Sequence, residues 1–305
     1  MASRATRVEM AAGGSQASAS RASDAVLTDC YRASGFIALL LTVAAGSGLL
    51  LDVYRDNEWV SSQMRGQDFV SLVFGAPLLL VSAHLARKGS VRALLAWLGA
   101  LGYVTYSYLY IFGIAYNELF LVYLALLVLS GYTLIRALIA IDPIPIWATF
   151  DEDAPTKVVA GFLVGFGVVL GALWAIQAIA ALFTGDVPAS VTSSGHPTAV
   201  VFVLDLGLVV PLFLLGGRML RRGRPWGFVL AGMLLVKGVT EGLALLGMSL
   251  FMFVADHPGF DVALVPLWVF VAIASTYLAF RFFGAIRPAY AQTQVTLMSD
   301  TGGAT

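Results

Sequence analysis

Asp205, Lys237 and Glu241 stand inside long apolar runs. A charged side chain at membrane depth costs at least about 2.5 kcal/mol on insertion scales, so it faces protein or water and takes a partner. Lys237 and Glu241 are four residues apart, the spacing that puts two side chains on one helix face. Folding the hairpin that joins their run to the preceding one about Arg221 or Arg222 brings Asp205 opposite Gly238. An acid, a base and a second acid sharing one low-dielectric site shift each other's proton affinity. Such a trio suits a proton relay or a site for a charged substrate. The competing reading is a structural ion pair that locks two helices together. Thr240 lies beside the pair, and Gly238 and Gly242 have the small-xxx-small spacing that lets another helix approach closely.

A second group is aromatic. Tyr103, Tyr106 and Tyr110 have helical spacing and share a face, and each mid-span hydroxyl needs a partner. With Gln177, Trp174 and Thr240 further along, they are candidates to line a polar cavity. Hydrogen bonding between helices without a cavity is the alternative. His196 and His257 sit in loops near Asp186, Asp256 and Asp261, but no ligand spacing supports a metal, and His84 is isolated. Cys30, the single cysteine, precedes the first apolar run, where it is a site for S-palmitoylation or an inert thiol. No Gly-rich phosphate loop, HExxH, nucleophile elbow or haem-type histidine pair is present, so neither a cofactor nor a metal is expected. The run containing Tyr103 has no acid, which argues against a retinal-type Schiff base on Lys237.

The elements that position these residues follow from composition. Of 305 residues, 59% are hydrophobic and 12% charged, against about 25% charged in a soluble domain. The formal net charge is zero, which gives nucleic-acid binding no electrostatic support. Apolar runs long enough to cross about 30 Å of hydrocarbon occur near 34–51, 68–86, 91–115, 118–140, 157–183, 199–217, 226–250 and 262–284. The fold class is therefore all-α: a polytopic transmembrane helix bundle of about eight spans, with the lipid bilayer as its partner. Residues 1–33 and 288–305 have the composition of disordered tails. The segment 142–156, with Pro143, Pro145 and Pro155, reads as an interfacial linker between four-span units over 34–141 and 157–287.

Fifteen of the 18 Lys and Arg fall in the tails and alternate connections on one side, against Arg55 and Arg65 on the other. The positive-inside rule puts that side, with both termini, in the cytoplasm, in a plasma (cytoplasmic) membrane. A shift of 134 residues aligns the halves without a gap. Asp52 falls on Asp186, Pro77-Leu78 on Pro211-Leu212, and Arg87-Lys88-Gly89 on Arg221-Arg222-Gly223. Parallel four-plus-four repeats of this kind occur in transporters. Three functions stay open: a secondary transporter or permease for a small molecule or ion, a structural or regulatory membrane subunit, and a membrane enzyme acting on a lipid-like substrate near Asp52, Asp68 and Asp186.

Overall fold

A computed structural model describes residues 4–287, with side chains from Ala22 onward. Eight helices are long and apolar enough to cross a membrane. Span one is Ala22–Leu50, span two Glu58–Arg87, span three Val91–Phe112 and span four Phe120–Ala140. Span five is Thr156–Thr184, span six Val200–Arg221, span seven Pro225–Val254 and span eight Val262–Gly284. No strand occurs among the described residues. The C-terminal tail after Arg287 lies outside them.

Two helices begin earlier than apolarity alone predicts. The tail expected over residues 1–33 is helix from Arg4 onward, continuous with span one. Its last turns pack into the core. Cys30 is buried, so it is a packed thiol and not an exposed acylation site. The Ser34 hydroxyl, also buried, accepts a hydrogen bond of 2.8 Å from Trp97 Nε1 of span three. Span two starts at Glu58, capped by the Asn57 side chain, which accepts from the Val60 amide at 3.1 Å. That extension moves Asp68 from the expected span end to ten residues inside the helix, roughly 15 Å at 1.5 Å per residue.

Alternate connections gather at opposite ends of the bundle. At the terminal end, Arg92 donates to the Ile286 carbonyl at 2.5 Å. There the amide of Asp151 donates to Ala285, and that of Arg287 to Thr149, both at 2.8 Å. The 142–156 segment is not a free strap. Asp142 caps a short helix, Pro143–Ala148, and Phe150 packs on Phe228 and Phe282, with ring centroids 4.9 and 4.7 Å away. At the distal end, Arg55 pairs with Glu118 at 2.5 Å, Asn57 donates to the Ser193 carbonyl at 2.8 Å, and the Ala115 amide donates to Asp56 at 2.9 Å.

Span seven is the hub. Of its most apolar window 67% is buried, against 22–44% for the other spans. Small residues make this possible, because apolar helices in lipid associate by close packing and not by hydrophobic expulsion. A Cβ on Gly247 would stand 2.7 Å from the carbonyl oxygen of Gly66 in span two. One on Gly242 would stand 2.7 Å from the amide of Ala272 in span eight. In span five only half of the small-residue pattern is used. Gly167 and Gly171 meet span six, whereas nothing lies within 4 Å of a Cβ on Gly161 or Gly165.

Spans two and six each contain one wide turn, Ser71–Gly75 and Asp205–Val209, closed by amide-to-carbonyl bonds five residues apart. Each lies just before a proline, Pro77 or Pro211. Proline lacks an N–H, and its ring crowds the carbonyl four residues back. Widening the turn relieves that clash and re-aims the side chains beside it. The two turns are 134 residues apart, the offset at which the halves align in sequence. The helix ends at Arg87 and Arg221, and the left-handed glycines Gly89 and Gly223, share that offset.

Candidate functional site

The wide turn of span six delivers Asp205 to the bundle interior, where it is buried. Tyr106 of span three donates to its Oδ1 at 2.5 Å, and Trp174 of span five donates to its Oδ2 at 2.7 Å. One carboxylate thus joins three spans. Stacking of Trp174 on Phe202, with centroids 4.6 Å apart, holds the indole in place.

Lys237 and Glu241 pair along one face of span seven, as their spacing predicts. The Lys237 ammonium lies 3.9 Å from the centroid of the Tyr106 ring, close enough for a cation–π attraction. The predicted trio is therefore brought together, but not as a directly bonded acid–base–acid set. Tyr106 stands between its members, touching Lys237 with its face and Asp205 with its hydroxyl. The ion pair lies within one helix, and its Lys237 end reaches span three through the Tyr106 ring. Within the trio, the hydrogen bonds that cross between helices belong to Asp205.

The other predicted residues divide. Tyr103 is buried and shares a hydrogen bond of 2.8 Å with Ser71, the first residue of the wide turn in span two. Tyr110 turns toward His196, its hydroxyl 3.5 Å from Nδ1. Gln177 donates to its own helix, at the Leu173 carbonyl, 3.1 Å away, and makes no bond to the cluster. Thr240 also bonds back to its own helix, at Val236 and Lys237, both 3.1 Å. Gly238 and Gly242 admit span eight, as their spacing predicts.

Neither of two cavities among the described residues is lined by Asp205, Lys237 or Glu241. The first, of about 40 Å³, lies between spans two, three and four and is lined in part by Tyr54, Gln67, Asp68, Tyr110 and Tyr123. Asp68 is buried there, and the Tyr54 hydroxyl donates to its Oδ2. Reading spans from apolarity put Asp68 at a boundary, because the preceding turns, Glu58–Gln67, are polar. The signal that would have found it is Asn57, an N-cap residue ahead of Glu58. Asp68 does not share an opening with Asp52 and Asp186, which are exposed. Among the described residues no group of three or more His, Cys, Asp and Glu is arranged to hold a metal. His257 instead accepts from the Gly259 amide of its own turn at 3.0 Å.

His196 lies in the connection between spans five and six. Burial holds its imidazole below the usual pKa of 6.5. The unfolded chain then binds more protons than the folded one as pH falls through that value. The stability tied to neutral His196 is complete above it and is lost on acidification. Protection of the amides over 186–199, their exchange measured against the intrinsic rate at each pH, should fall between about pH 7.5 and 5.5 in the wild type. In His196→Gln that protection should change much less with pH.

These features define an all-α, multi-pass membrane protein in which a buried carboxyl group is hydrogen-bonded across three spans. No known protein family, curated protein or solved structure matches the chain.

Proposed function

We propose that the protein is a secondary transporter or permease, with Asp205, Tyr106, Lys237 and Glu241 as its proton relay. The observation that carries this reading is that neither charge of the ion pair meets an opposite charge on a second helix. A lock would pair its charges across an interface. Lys237 and Glu241 instead place both charges on the hub helix, beside a tyrosine whose hydroxyl reaches a third ionisable group on span six. Buried ionisable groups of this kind mark substrate and ion pathways. A wide turn at Asp205 adds support, since such turns recur at functional sites. The positive-inside bias orients the terminal end to the cytoplasm and the distal end outward.

One observation favours a structural or regulatory subunit instead: Asp205 accepts from spans three and five and so ties three helices together. Proton flux separates the two readings. The protein is reconstituted in liposomes with an entrapped pH dye under a potassium diffusion potential. Flux is measured alone and with panels of amino acids, sugars, nucleosides and organic acids in the bath. Wild type should exceed protein-free liposomes under at least one condition, and Asp205→Asn and Glu241→Gln should lose at least about tenfold of that flux while still melting cooperatively. If no condition gives protein-dependent flux, the relay reading is wrong and the cluster is a structural device.

A further inference from the structure

Asp68 lies outside the Asp205 cluster and has its own surroundings. Its carboxyl is reached by the Tyr54 hydroxyl, and a Cβ on Gly48 of span one would stand 1.8 Å from its Oδ2. Only glycine at that position leaves the carboxyl room. The adjoining cavity of about 40 Å³ has room for roughly three water molecules. It has no space for an organic substrate. The side chains around it offer oxygen and amide groups: Gln67 and Ser71 of span two, and Ser107, Tyr108 and Tyr110 of span three. Tyr123 of span four adds a buried hydroxyl with no hydrogen-bond partner of acceptable geometry among the described residues.

The titratable groups around Asp68 are Tyr54 from the loop, Tyr103, Tyr108 and Tyr110 from span three and Tyr123 from span four. Span one contributes Gly48. Span seven packs Gly247 against span two and puts no charged side chain into the cavity. No Lys, Arg or His lines it. A second cavity of about 70 Å³ shares Ile111, Ile114 and Tyr123 with the first and leads to Tyr116 and Asn117 in the distal loop.

A buried carboxylate that no basic side chain neutralises costs several kcal/mol. One positive charge of small size removes that cost, and the lining matches it. We propose that Asp68, with Tyr54, is a binding site for one monovalent cation, a proton or sodium, reached from the distal end. Binding a proton forms an O–H bond from a carboxylate lone pair, as hydronium gives up its proton and leaves as water. Binding sodium leaves the carboxylate ionised and draws on the surrounding oxygens. The site stands whether or not the Asp205 cluster relays protons.

Infrared difference spectroscopy on protein in lipid nanodiscs tests it, with wild type, Asp68→Asn and Tyr54→Phe, each first shown to melt cooperatively. If the cation is a proton, acidification produces a protonated-carboxyl band in wild type that Asp68→Asn lacks and Tyr54→Phe shifts, because the hydrogen bond to that carboxyl is gone. If the cation is sodium, adding sodium but not choline at constant pH changes the Asp68 carboxylate bands. A wild-type spectrum that does not respond to pH or sodium, or that Asp68→Asn reproduces, overturns the proposal. Should Asp68→Asn fail to fold, an unshifted carboxyl band in Tyr54→Phe overturns it as well.

Discussion

Gly247→Leu lowers the melting temperature of the purified protein by about 6 °C or more, or leaves no folded protein to purify. Spans two and seven touch backbone to backbone here. A Cβ on Gly66 would stand 2.4 Å from the Gly247 carbonyl oxygen, and one on Gly247 would stand 2.7 Å from that of Gly66. Overpacking a core costs about 1–3 kcal/mol where side chains can move aside. The atoms met here are main chain, so the helices themselves must separate, at one of the contacts that tie the first four spans to the hub. A loss of about 3 kcal/mol or more is a large share of a total stability of about 5–15 kcal/mol, and at about 2–4 °C per kcal/mol it gives the stated shift. Gly161→Leu is the control within the same protein. Nothing lies within 4 Å of its Cβ, and it should melt within a few degrees of wild type. Equal melting of the two variants would refute this account of the crossing.

Lys237→Met is the second variant with a large expected effect. It removes the partner of Glu241 and the cation over Tyr106 while keeping most of the side-chain volume. Breaking a buried ion pair at one end costs about 3–5 kcal/mol, chiefly because a charge is left without its partner. Replacing both ends with neutral groups of similar size is often nearly neutral. The double variant Lys237→Met/Glu241→Gln should therefore recover most of the stability lost by the single one. Tyr106→Phe keeps the ring beneath the ammonium and removes only the bond to Asp205, so it should cost less, on the order of 1.5–3 kcal/mol for a hydrogen bond to a charged group. Thermal unfolding of wild type, Lys237→Met, Glu241→Gln and the double variant measures the coupling as a double-mutant cycle, with Tyr106→Phe measured beside them. If the single and double variants melt alike, Lys237 and Glu241 do not stabilise each other as a charged pair.

Local features carried much of this protein. Whether a stretch can cross a membrane depends on its own length and apolarity, so eight spans and an all-α class were legible in the chain. The Lys237–Glu241 pair was legible because its spacing is a property of one helix. Pro77 and Pro211 were visible at the same offset, but the wide turns just before them were not read from the sequence.

Contacts between helices were not legible in the same way. The partners of Asp205 are Tyr106 and Trp174, 99 and 31 residues away in the chain, and not Lys237. Which side chain meets which depends on how far each helix is rotated about its axis. A helix apolar on every side has no stripe to reveal that rotation, because lipid is as apolar as the protein interior. The wide turns change the rotation again partway along spans two and six. Asp68 shows the same limit from the other direction: its polar flank reads as the edge of the membrane, and only packing against Gly48 and Tyr54 buries it. Composition and spacing determined that charges enter the membrane region and which of them share a helix. Helix rotation and close approach at glycine, both tertiary, decided which groups those charges meet.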